Sequence, residues 1–166
     1  MTLPPLLVAA EHSAIADAMR GQGGGQWLFP IVETLHVISV AMVFGSILMI
    51  DLRLLGKASG DSAVSRLSGE VLPYTWGAFL CAAMTGTLLF VSKAHVYFFN
   101  VQFQLKFLCV LLAGVNMAIF HLGPYRRVGE WDQLHPPPRA ARLAGALSIA
   151  LWIGVIFFGR WIGFTT

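Results

Sequence analysis

The sequence contains four runs of twenty or more mostly apolar residues, at about 27–52, 73–98, 102–122 and 140–163. Each is long enough to cross a bilayer as a helix. Composition agrees: 57% of the residues are hydrophobic and only 11% charged, far less charge than a soluble domain carries. The predicted fold is all-α, an integral membrane four-helix bundle over residues 27–166, in contact with the lipid bilayer. Residues 1–26 form a separate N-terminal segment. There Leu6, Leu7, Ala10, Ala14 and Ala18 recur at helical spacing opposite Glu11, His12, Asp17 and Arg20, which predicts a short amphipathic surface helix. Gly21 to Gly25, interrupted by Gln22, reads as a hinge into the first span.

Punctuation between the runs sets the expected topology. Asp51-Leu52-Arg53 and Gly56 end the first run, a polar connector spans 57–70, and Pro73 opens the second run. Asn100 is the break before the third run, so runs two and three are expected to form an antiparallel hairpin. Gly123-Pro124 closes the third. The connector 125–139, with its triple proline, is expected to be solvent-exposed, and His135 reads as a loop histidine. Gly77, Ala78, Ala82 and Gly86 form a small-residue face suited to close packing in lipid, and also to a homodimer. The N-terminus has no basic stretch and no cleavage site of the signal-peptide kind. Basic residues favour the two long connectors (Arg53, Lys57, Arg66, Arg126, Arg127, Arg139, Arg142), which predicts both termini outside and both long connectors in the cytoplasm. No patch for nucleic acid is present, and Cys81 and Cys109 lie inside apolar runs without metal-ligand spacing.

Ionisable residues inside spans are costly and mark function by default. Glu33 and His36 lie one turn apart on the first span. At 1.5 Å per residue, His36 sits about 9 Å along the first helix and Lys106 about as deep on the third. Arg160, Lys93 and His95 fall near the same outer face, while His121 falls near the opposite one. An imidazole within a hydrophobic helix is a usual axial ligand of haem iron, and basic residues at the membrane edge balance propionates. On this reading His36 is the principal ligand of haem b and His95 or Lys106 the sixth. Arg160, Lys106 or Lys93 lies by the propionates, and Glu33 orients or neutralises the site. The main chemical rival is copper, held by His36 and His95 with methionine sulfur. A proton relay through Glu33 and His36, and a cofactor-free structural or assembly subunit, are the other readings.

The strings FPIVETLHV, DLRLLG, LPYTWGAF, FQLK and LWIGVIFFGRWIGF, in this order, resemble an uncharacterised bacterial family of small four-helix membrane proteins. More remotely, LHVISVAMVFGSILMIDLRLLG and FQLKFLCVLLAGVNMAIFH are similar to helices of the membrane protoporphyrinogen oxidase family, and the helical outline to the copper-resistance D family. The oxidase resemblance implies bound haem b and a requirement for a His and a Lys, at His36 and Lys106 here. Glu33, DLRLLG and GRWIGF have no counterpart in that pattern. What carries over is haem binding with electron transfer, with a quinone or a periplasmic redox protein as partner, and not porphyrinogen oxidation.

Overall fold

A computed structural model describes residues 4–57, 63–132 and 136–165, and among these no strand occurs. His135 lies outside the described residues. The N-terminal segment folds as two short helices, α1 (Pro5–Glu11) and α2 (Ala14–Met19), instead of one. Ser13 makes the break: its backbone is extended and its hydroxyl oxygen accepts the Ala16 N–H at 3.3 Å, a helix N-cap. Ala16 and Met19 are buried against the bundle. Arg20 donates to the Ser92 carbonyl at 3.0 Å, placing a cation at a helix C-terminus.

Four helices are long and apolar enough to cross a membrane: α3 (Leu28–Leu54), α4 (Val64–Ser92), α6 (Val101–Leu122) and α8 (Arg139–Thr165). Between α4 and α6 lies the short α5 (Ala94–Phe98), and α7 (Val128–Trp131) precedes α8. The surface of the four is that of a membrane protein. Ile31, Leu80, Ile119 and Phe157 face outward, whereas Ser39, Thr75, Ala78, Ala82 and Thr85 are buried. Small side chains let the backbones approach, and lipid covers the large apolar ones.

The helices associate as two pairs, α3 with α4 and α6 with α8, joined mainly through α3 and α8. The expected hairpin of α4 and α6 is therefore not a tightly packed pair. Their backbones stay apart, and long side chains bridge them, Phe90 stacking on Phe103 with centroids 5.2 Å apart. The small-residue face explains this choice. Ala82 and Gly86 of α4 are spent on α3, with Gly86 directly against His36.

The connector end differs from its sequence reading in two ways. Helix α4 starts at Val64 and runs through Pro73, so residues 64–70 are helix and not polar connector. Pro73 lacks the N–H that would bond the Gly69 carbonyl, a local loss that burial of Val64 and Leu67 offsets. Nor is the segment after α6 wholly exposed, because Trp131 is buried in a core cluster with Leu54, Val64 and Phe120. Asp132 then caps α4 from outside the helix: its carboxylate accepts the Ser65 N–H at 3.1 Å and the Ser65 hydroxyl hydrogen. Arg53 donates to the Asp132 carbonyl at 3.1 Å, tying the end of α3 to the same point.

At the opposite end, which carries both chain termini, α4 stops at Ser92 and Lys93 turns the chain into α5. The segment 93–98 is therefore not a continuation of the second span. Asn100 caps α6 by accepting the Phe103 N–H at 3.0 Å, and its amide donates to the Thr165 hydroxyl at 2.9 Å.

Candidate functional site

His36 projects from α3 toward α4, in the half of the bundle nearer the termini. Its Nδ1 lies 2.9 Å from the Ala82 carbonyl oxygen and 3.1 Å from the Thr85 hydroxyl oxygen. A carbonyl can only accept, so Nδ1 carries the proton and donates it, and Nε2 keeps its lone pair. Thr85 is held in turn by donating to the Cys81 carbonyl at 2.7 Å. The Cε1 edge of the ring abuts Gly86, where a β-carbon would come within 2.9 Å of Cε1. Glycine is thus a condition of the imidazole's position.

Nε2 points across the interior at Lys106 of α6, whose Nζ lies 3.4 Å away and donates along a long hydrogen bond. Lys106 also has a glycine behind it. A β-carbon on Gly159 of α8 would touch its Cδ, Cε and Nζ at 3.4 Å, an ordinary van der Waals distance. Neither of the two ion pairs among the described residues involves Lys106 or His36. One turn before Lys106, the buried Gln102 Oε1 has no hydrogen-bond partner among the described residues.

The other residues singled out from sequence do not reach this pair. Glu33 is exposed one turn nearer the end of the bundle. Its carboxylate, after burial itself, is the second cause that pushes the Tyr97 phenol above its ordinary range. His95 is exposed on α5; its backbone N–H donates to Glu11 Oε2 at 3.0 Å and its ring packs edge-on against Phe99. Lys93 is exposed at the α4–α5 turn. Arg160 is exposed beside the Phe164 ring, 5.6 Å from its centroid, although the preceding Gly159 touches Lys106. His121 lies toward the other end of the bundle, its Nδ1–H donating to the Met117 carbonyl at 2.9 Å.

Thr85, Ala82, Gly86, Gly159 and Gln102 are the members of the site that polarity and depth did not single out. Gly86 had a legible signal as part of a small-residue face, but that face is equally consistent with packing alone. Among the described residues no three His, Cys, Asp or Glu side chains converge as metal ligands. Met42, Met49 and Met84 are each more than half exposed and turn away from the interior.

The arrangement is therefore one neutral imidazole with an oriented lone pair and one amine facing it, enclosed by four helices. No curated protein and no solved structure matches the chain. A family model does match, over residues 8–165, and the chain belongs to that family, a family of unknown function (DUF6644).

Proposed function

We propose that the protein is a b-type haem-binding membrane protein that passes single electrons, with His36 as the principal ligand. The observation that carries this reading is the orientation of the imidazole. A metal-ligating histidine characteristically donates its second ring N–H to a carbonyl or carboxylate, which sets the tautomer and the ring plane. His36 has this support from Ala82 at 2.9 Å, and its Nε2 is turned toward the bundle interior, where it meets the Lys106 amine at 3.4 Å. The donor set suits haem, which needs one or two protein ligands, better than a copper site built wholly from side chains. The outward-facing methionines support the same preference.

Bound there, haem supplies reversible one-electron chemistry. The chain's own residues do the rest. His36 would hold the group through Nε2, while Ala82 and Thr85 hold its ring. Lys106 would have to withdraw from its 3.4 Å contact with Nε2 to admit the group, and could then ligate when neutral or balance a carboxylate when charged. Gln102 offers an acceptor that has no partner among the described residues. The surrounding apolar helices keep water away. In this reading the four spans lie in a bacterial inner membrane with both termini in the periplasm, so electrons arrive from a lipid-soluble donor and leave to a periplasmic protein.

An absorption spectrum of the purified full chain tests the proposal. A Soret band that shifts on reduction, and is lost in His36→Ala but kept in His95→Ala, is the expected result. A colourless protein after expression with excess haem overturns it, and stoichiometric copper lost in His36→Ala would favour copper handling.

A further inference from the structure

The half of the bundle nearer the connectors has a different interior. One turn beyond Lys106, between α4 and α6, a cavity of about 180 Å³ opens among Trp76, Phe79, Phe120 and Trp152. Asp51 stands in its wall. This carboxyl is only 5% exposed, yet its Oδ2 has no hydrogen-bond partner among the described residues. A buried polar atom without a partner costs about 1–3 kcal/mol and calls for an explanation. Ser148 of α8 approaches the same carboxyl as a side-chain hydrogen-bond partner, and Oδ2 is the oxygen left over; two other polar neighbours are occupied. Thr75 is bonded to Ser46 Oγ at 2.8 Å, and Asn116 donates to the Ala144 carbonyl at 2.9 Å.

We infer that this cavity is a binding site for a lipid-soluble molecule with a hydroxylated aromatic head, the chemistry of a quinol, whose hydroxyl donates to Asp51 Oδ2. Size decides the head. A dry cavity of about 150 Å³ takes one benzene ring, so this one admits a single substituted ring and is too small for a porphyrin. The walls decide its character, since four aromatic side chains favour a flat ring by stacked or edge-on contacts. The route in decides the tail. Leu72, Trp76, Met117 and His121 line both the cavity and a second depression on the same α4–α6 seam. Trp76 is 54% exposed there, so the seam leads to the lipid-facing surface. The site is separate from His36 and does not rest on haem being bound.

Calorimetric titration of the full chain in nanodiscs with decylbenzoquinol, under nitrogen and against empty nanodiscs, tests the inference. Saturable binding is expected. It should weaken at least about tenfold when both quinol hydroxyls are methylated, and by a similar factor in Asp51→Leu. Gly114→Leu should also abolish it, because Gly114 lines the cavity and a β-carbon there meets nothing within 4 Å. This second variant leaves Asp51 untouched and keeps the test open should Asp51→Leu misfold. No saturable binding, binding of the methylated quinol or of decanol as tight as that of the quinol, or affinity unchanged in both variants overturns the inference. A missing Soret band bears on His36 alone and leaves this titration independent.

Discussion

The two halves of the bundle treat a buried ionisable group on α3 in opposite ways. His36 and Asp51 are fifteen residues apart on one helix, about 22 Å along its axis. Around His36 a side-chain pair bridges the interior, its Nε2 meeting Lys106 Nζ at 3.4 Å. Gly86 leaves room for the imidazole against α4, and Lys106 crosses from α6 beside Gly159. Around Asp51 the interior is hollow, because α4 and α6 stay apart and no lysine reaches across. The difference shows what separates a closed polar pair from an open pocket in this fold. At one level Lys106 spans the interior to His36, and at the other a cavity is left beside Asp51.

The sharpest way to break the bridged half is Gly86→Ala. Its methyl group would lie 2.9 Å from a ring atom that cannot swing aside without losing the bond to Ala82. Overpacking of this kind costs about 1–3 kcal/mol, so the thermal midpoint in detergent should fall, and any His36-dependent absorption should weaken with it. An unchanged midpoint would mean that the imidazole is not seated on α4 at all.

At the hollow end, Asp132→Ala removes the carboxylate that caps α4 and leaves the Ser65 amide unpaired. Loss of a cap costs about 0.5–2 kcal/mol. Hydrogen exchange should then quicken in the first turns of α4 while the amides around Ala82 and Thr85 stay protected. Uniform loosening of both halves would show that they do not behave as separate regions.

The smallest effect is expected from Gly159→Ala, the mirror of the first substitution. Here the new methyl meets Lys106 only at 3.4 Å, and alanine favours a helix over glycine by about 1 kcal/mol. The midpoint should hold or rise slightly. A fall as large as that of Gly86→Ala would mean that Lys106 is gripped as tightly as His36, which the contact distances do not predict.

Much of this was legible in the residues, for reasons that can be named. A helix rises by a fixed amount per residue, so counting from Pro30 and from Asn100 put His36 and Lys106 at one level and set His121 apart. Counting gives depth but not azimuth. It therefore grouped Glu33, His95, Lys93 and Arg160 with the pair, whereas these side chains are exposed at the end of the bundle. The start of α4 was hidden for another reason. Pro73 and the polar residues before it resemble a loop, and the cap that permits helix from Val64 onward comes from Asp132, 67 positions beyond the Ser65 amide it accepts.

Four membrane-length helices, their order and the depth of each polar residue follow from the sequence alone, because apolar length and helical rise are local properties. Which helices pair, that Gly86 seats a ring instead of a neighbouring backbone, and that a cavity remains beside Asp51 were decided only by the tertiary structure. Those depend on the rotation of each helix about its axis. That rotation is set by how side chains from four separate segments fill one shared interior, and no single stretch of sequence contains it.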